Sequence, residues 1–284
     1  MITGNFKTIN LIHPDKSDVK FELGSFPDGE MHIKLLDDID HKMQYAVVCR
    51  IKSSDDLFVL QQIGDILNRH EVVFDLFIYY LMGARMDRVM NFNEAFSLKI
   101  IANVINDMKA DKVYLFHPHS KAVYRLINNA YDMEENISMS TGEPSFNDED
   151  TVICYPDLGA SERYAKNGIA NTMILRKKRD PNNKGAIVSM EIAQFPMKKF
   201  KNVIIVDDLC DAGGTFVRAA KLIKEKYPDV KLGIFVRHLV NQAGLVNLVD
   251  NFDHVYITNS YTDWDEQTKS IDKVNVWNVL YNFE

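Results

Sequence analysis

Cysteine is scarce in this 284-residue chain, and the three present, Cys49, Cys154 and Cys210, are odd in number and far apart. That spacing argues against a disulfide framework and against a zinc cluster, and points to reduced structural thiols in a cytoplasmic protein. Long apolar runs are also missing. The longest, around residues 76–82, is far short of the roughly 20 residues needed to cross a bilayer, so no membrane partner is expected. The first residues lack the basic start and apolar stretch of a signal peptide. Positive charge is not in excess: the formal net charge is −7, and basic residues cluster only at Arg176, Lys177, Lys178 and Arg179. A broad nucleic-acid face is therefore excluded as an expectation. Tandem repeats, coiled-coil heptads and low-complexity tracts are absent as well.

What is there is an ordinary globular composition, 46% apolar and 26% charged, able to bury a substantial core. Short β-rich apolar runs recur at 10–13, 45–50, 73–81, 112–116, 151–155, 172–175, 202–206, 231–236 and 254–258. Helical spacing fills several gaps between them, with Leu98, Ile101, Ile105 and Met108 on one stripe and Phe216, Ala220 and Ile223 on another. Strands alternating with such helices predict an α/β fold of mainly parallel sheets flanked by helices. A polar, aperiodic stretch at 131–143 places the expected boundary near the middle, giving domains 1–135 and 136–284.

The most informative segment is Val206-Asp207-Asp208-Leu209-Cys210-Asp211-Ala212-Gly213-Gly214-Thr215. An apolar strand, an acidic and glycine-rich turn, then a helix from Thr215 to Lys226 point backbone N–H groups and the helix dipole at an anion, especially phosphate. Gly213 and Gly214 allow close approach. Asp207 and Asp208, at the carboxyl end of the strand, can accept hydrogen bonds from paired sugar hydroxyls. Read alone, the same residues also make an acidic turn and helix cap. The pattern differs from the dinucleotide fingerprint and from the nucleotide phosphate loop with its lysine.

Paired aspartates followed by Asp-x-Gly-Gly-Thr resemble the signature of type I phosphoribosyltransferase folds. Further matches, in order along the chain, narrow the resemblance to the ribose-phosphate diphosphokinase family. Phe26-Pro27-Asp28-Gly29-Glu30 is similar to the family's adenine-binding segment. Gly83-Ala84-Arg85-Met86-Asp87-Arg88, His117-Pro118-His119-Ser120 and Pro156-Asp157-Leu158-Gly159 resemble three further stretches. Lys177-Lys178-Arg179 resembles its flexible basic loop.

The resemblance implies two similar domains of type I phosphoribosyltransferase-like fold, ATP on the N-terminal side and ribose phosphate on the C-terminal side. It implies magnesium-dependent transfer of a diphosphoryl group from ATP to the anomeric hydroxyl of ribose 5-phosphate, releasing AMP. Lys177, Arg179 and Asp211 take the catalytic roles, Lys177 and Arg179 closing over the transferring group. Phe26, Asp28, Glu30, Arg85, Asp87 and His119 bind ATP, and His119 with Asp157 helps hold Mg2+. Asp207, Asp208, Asp211, Ala212, Gly213, Gly214 and Thr215 bind the ribose phosphate. A homo-oligomer, dimer or hexamer, is implied, because the adenine segment serves a neighbouring subunit in this family.

The pattern breaks at Ala212, where the family usually has threonine. A missing hydroxyl bond to a charged group is worth about 1.5–3 kcal/mol, enough to change a substrate preference. It also leaves room for a substituent on the phosphate, as in ADP-ribose, which is the alternative acceptor. A non-catalytic regulatory subunit and a base-accepting phosphoribosyltransferase are the other readings. Met86, His117 and the 93–95 stretch depart from the family as well, so weakened allosteric control is expected.

Overall fold

The computed structural model describes residues 6–133, 150–164, 172–180 and 186–280. The chain divides into two compact units, Met1–Ser138 with Leu280–Glu284, and Met139–Val279.

In the first unit, strands β1 (Phe6–Asn10), β4 (Gln44–Ile51), β5 (Phe74–Leu81), β6 (Lys112–Leu115) and β7 (Ala130–Asp132) form one parallel sheet in that order. Strands β2 (Phe21–Ser25) and β3 (Met31–Leu35) form a separate antiparallel hairpin. Helix α1 (Ser54–Arg69) begins with a capping box, Ser53 and Asp56 each satisfying the other's backbone N–H. It buries Val59, Leu60, Ile63 and Leu67 at helical spacing. Helix α2 (Ser97–Asp107) buries Leu98, Ile101, Ala102 and Ile105 in the same core, and a short α3 (Val123–Leu126) follows β6. Strand order runs one way across the sheet, so right-handed crossovers put α1 and α2 on one face.

The second unit has a different winding. Its sheet runs β10 (Ala186–Gln194), β9 (Thr172–Asp180), β8 (Thr151–Tyr155), β11 (Asn202–Cys210), β12 (Lys231–Leu239), β13 (His254–Thr258), β14 (Val274–Trp277), all parallel except the β9–β10 pair. The chain leaves β8 toward β9 and returns past β8 to β11, so the order reverses between β8 and β11. Helix α4 (Leu158–Tyr164) packs with Ile153, Tyr155, Ile204 and Val206 on one face. On the other face lie α5 (Gly214–Lys226) and α6 (Gln242–Asn251), whose Phe216, Ile223, Leu245 and Leu248 join the main core. A short α7 (Asp265–Thr268) precedes β14. The expected α/β class is observed, and this unit is doubly wound, with a switch point where such sheets hold ligands.

Two elements extend further than their hydrophobic runs. Strand β11 does not end at Val206: it continues through Asp207, Leu209 and Cys210, paired with Val236, His238 and Leu239. The basic cluster is not a free loop. Arg176, Lys177, Lys178 and Arg179 lie on β9, hydrogen-bonded to β10, and an edge hairpin supplies the backbone order that composition alone conceals.

One buried charge sits away from either glycine loop. Asp75 is fully buried in β5, opposite Lys112, and burial raises its carboxyl to about 6, with Asp111 adding to the rise and Lys112 and Gln44 opposing it. A carboxyl whose folded pKa is raised favours the protonated native state, so stability falls as pH climbs from near 4 to about 6. Asp75→Asn is expected to raise thermal stability at pH 8, by on the order of 2 kcal/mol, and to leave it nearly unchanged at pH 4. Thermal melts of both proteins across that range check the prediction; equal stability at pH 8 would show that the charge is compensated.

Candidate active site

The carboxyl edge of the second sheet gathers chemistry from three adjacent strands, β9, β8 and β11. Asp157 follows β8 and caps α4: the Ala160 N–H donates to its Oδ1 at 2.8 Å. Strand β9 alternates, so Arg176 and Lys178 are exposed while Lys177 turns inward, its Nζ 2.5 Å from Asp157 Oδ2. Burial pushes the Asp157 carboxyl up, but the Lys177 ammonium, the Ala160 N–H and the Arg163 charge outweigh it and hold the group below its ordinary value. Asp157 is therefore an ionised oxygen donor at neutral pH. The Arg179 side chain lies outside the described residues.

Beside this pair, β11 carries Asp207 and Asp208, both buried. Two adjacent buried carboxylates repel, and burial followed by the Asp208 charge raises Asp207 well above its ordinary value. Arg163 of α4 offsets the repulsion, its Nη2 lying 3.4 Å from Asp207 Oδ1 and 3.2 Å from Asp208 Oδ1. The Asp208 N–H also donates to Asp207 Oδ1 at 2.9 Å. Arg163 and Arg237 both lie on the ring of Tyr164, and Arg237 also meets Phe235. Arg163 was not among the expected site residues; its position one helical turn after Pro156-Asp157-Leu158-Gly159 was the available signal.

Beyond Cys210 the chain turns sharply. Asp211, Ala212 and Gly214 are exposed, whereas Gly213 is buried with φ +80°, the left-handed conformation glycine adopts without strain. Gly213 is the N-cap of α5, so the first N–H groups of a 13-residue helix open at this turn. A Cβ at Gly214 would meet no protein atom within 4 Å, so this glycine is not demanded by packing and its open side faces space a ligand can fill. Cys210, under the turn, has its thiol pushed up to about 12, chiefly by burial, which removes it as a nucleophile at neutral pH. The expected ribose-phosphate residues thus share one strand end, with Asp157 just after neighbouring β8 and Lys177 on β9, the next strand out.

The expected ATP residues all fall in the first unit. Phe26, Asp28 and Glu30 occupy the exposed tip of the β2–β3 hairpin, where Phe26 N–H bonds the Glu30 carbonyl and Gly29 has φ +94°. The Phe26 ring is half exposed and lies 5.4 Å from that of His32. Gln62 of α1 holds the hairpin by its backbone, accepting from Ile33 N–H and donating to the Met31 carbonyl. Arg85 and Asp87 follow β5, and His119 follows β6, its neighbour, so these three sit beyond adjacent carboxyl ends. Gly83 opens that loop at φ +76°, and a Cβ there would reach 2.5 Å from Ile101. Among the described residues, no group of three or more His, Cys, Asp or Glu is placed to hold a metal ion. Nor is any described helix long and apolar enough to cross a membrane.

Comparison with known proteins agrees with this geometry. Residues 145–272 match the phosphoribosyl transferase domain family. The chain is 28% identical to ribose-phosphate pyrophosphokinase 2 of Archaeoglobus fulgidus over 70% of its length and 68% of that protein's. It is 24% identical to the ribose-phosphate pyrophosphokinase of Chlorobaculum tepidum, over 93% of this chain and 82% of that one. In three dimensions it is similar to the crystal structure of phosphoribosylpyrophosphate synthetase from Mycobacterium smegmatis, with a TM-score of 0.75 and 18% identity over 94% of this chain and 88% of that chain. The fold is thus of phosphoribosyltransferase type. By sequence the chain is similar to ribose-phosphate pyrophosphokinases.

Proposed function

We propose that this chain transfers the diphosphoryl group of ATP to the anomeric hydroxyl of a ribose phosphate, with AMP as the second product. The observation that carries the reading is the cluster at the switch point of the second sheet. An ion pair, Lys177 with Asp157, and a carboxylate pair, Asp207 with Asp208, lie beside the N-terminus of α5.

The turn at 211–214 and the first N–H groups of α5 receive the 5-phosphate. Asp207 and Asp208 accept hydrogen bonds from the ribose hydroxyls, which displace Arg163 as their partner in part. This leaves the anomeric oxygen free to attack the β-phosphorus while the bond to the α-phosphate oxygen breaks. The hydroxyl proton passes to a carboxylate, for which exposed Asp211 is the candidate. Lys177 and Arg179 stabilise charge on the transferring group. Phe26, Asp28, Glu30, Arg85, Asp87 and His119 form the ATP side, and the exposed hairpin tip suits donation of the adenine segment to a neighbouring subunit.

Magnesium fits this site as an ion that arrives on the phosphates of ATP. Ionised Asp157 is a hard oxygen donor, and magnesium typically takes one or two protein donors plus phosphate and water. In the second unit Asp157 would hold it, and when bound it would neutralise phosphate charge.

A second acceptor is favoured by one local feature. Ala212 offers no hydroxyl to the phosphate, and the space beside Gly214 is open, so a phosphate bearing a further group, as in ADP-ribose, can be seated there. Phosphorus NMR of reactions with magnesium, ATP and either ribose 5-phosphate or ADP-ribose separates the readings. AMP with a 1-diphosphorylated sugar from ribose 5-phosphate is the expected product, and preference for ADP-ribose would assign the remodelled phosphate site to that acceptor. No AMP from either would overturn the proposed activity and favour a regulatory subunit.

A further inference from the structure

We infer that Asn241 and Asn247 of the α6 segment are positioning residues that hold the 211–214 turn in its phosphate-accepting shape. The inference rests on the proposed phosphate-binding role of that turn. Turns with an exposed apex are ordinarily the mobile part of a site, and a mobile anion cradle loses affinity to the entropy of ordering it. Here the turn is tied at Asp211 and Ala212, and at Cys210 just before it. Asn241 Nδ2 donates to the Asp211 carboxylate at 3.1 Å, while its Oδ1 accepts from Ala243 N–H and caps α6. Asn247 Nδ2, one and a half helical turns on, donates to the Ala212 carbonyl at 2.7 Å. The Val240 N–H bonds the Cys210 carbonyl at 2.9 Å.

Packing supplies the complementary constraint. The Asp211 carbonyl oxygen lies so close over Gly244 that a Cβ there would stand 2.0 Å from it, and a Cβ on Gly213 would meet Asn247 Cβ at 3.3 Å. The turn is therefore clamped between two amide donors with a glycine between them. Ala212 cannot contribute a hydroxyl, so the site depends on N–H groups whose direction is set by the backbone, and Asn247 fixes that backbone at Ala212 itself. Both asparagine bonds leave the exposed face of the turn unobstructed.

The test separates clamp from fold and from function. Asn241→Ser keeps an oxygen to cap α6 but loses the donor to Asp211; Asn247→Leu keeps the volume and loses the donor to Ala212, without adding charge near a phosphate. Both variants are expected to raise hydrogen exchange at residues 211–215 in the ligand-free protein and to leave the β11–β12 core unchanged. For Asn247→Leu, which touches only the Ala212 carbonyl, the KM for the better acceptor should rise about tenfold, with kcat and the KM for ATP within twofold. Gly244→Ala reaches the same end sterically. Unchanged exchange in the turn would overturn the clamp, and so would equal rises in both KM values accompanied by lower thermal stability, which mark a merely structural role. Absence of AMP release by the unaltered protein would overturn the proposed activity alone, and the exchange comparison would still decide the clamp.

Discussion

Replacement of Lys177 by methionine is expected to lower kcat for AMP release by roughly 10²–10³-fold, the usual effect of deleting a charge that stabilises a transition state in a preorganised site. The strand geometry explains why this lysine, and not its neighbours, is the sensitive one. Arg176 and Lys178 point to solvent, whereas Lys177 is held inward with Nζ on Asp157 Oδ2. In the structure that ammonium pairs with one carboxylate; under the proposed reaction the transferring diphosphoryl group would confront it with a far denser negative charge.

The same substitution changes the pH profile in a defined direction. Lys177 is the chief influence opposing burial at Asp157, so its loss lets the carboxyl rise. Activity that remains should therefore fall off at a higher pH on the acid side than in the unaltered enzyme. The folded state loses stability in the same sense: a depressed carboxyl adds stability above the ordinary range, which is lost as pH falls through the lowered value. Rapid-quench measurement of AMP release from pH 5 to 8 reads both effects. A variant within threefold of the unaltered protein at every pH would reduce Lys177 to a counter-ion of Asp157.

The sequence exposed the contiguous part of this site and concealed the part assembled from afar. Asp207 to Thr215 is legible because a phosphate turn needs glycine, carboxylate and a helix start within a few residues. The extent of β11 was not legible, because Asp207 and Asp208 read as the polar end of a strand. They remain in the sheet because Arg163, more than forty residues away, neutralises them. Strands β2 and β3 alternate apolar with polar residues and do not stand out as apolar runs, whereas β10 is largely apolar in sequence and only backbone pairing defines it as the edge strand beside β9. Asn241, Gly244 and Asn247 are unremarkable on an amphipathic helix. Only the fold brings them under the turn, thirty or more residues from their partners. The unequal winding of the two sheets was concealed as well, since alternating strands and helices fix the class of fold but not the order of strands.

Asp207→Asn is expected to stabilise the protein while removing most of its activity. Asp207 stands in the sheet against Asp208, and burial together with that neighbour holds its carboxyl well above the ordinary range. The sign follows from proton linkage: the native state binds the proton more tightly than the unfolded chain does. Folding therefore loses stability as pH rises from near 4 through the raised native value. The amide keeps an acceptor for the Asp208 N–H, which bonds Asp207 Oδ1 at 2.9 Å, and leaves Arg163 paired with Asp208. A gain of one kcal/mol would appear as a rise of about 2–4 °C in Tm at pH 7.5, shrinking toward zero near pH 4. Catalysis moves the opposite way. A ribose hydroxyl bonded to a carboxylate loses a charge-assisted bond of about 1.5–3 kcal/mol when the partner becomes an amide. Together with the lost orientation of the anomeric oxygen, kcat/KM for the acceptor is expected to drop at least about 100-fold. Differential scanning fluorimetry and initial-rate kinetics on the same preparation test both halves. Lower stability at neutral pH would mean that Arg163 needs both carboxylates, and retained kcat/KM would remove Asp207 from the sugar site.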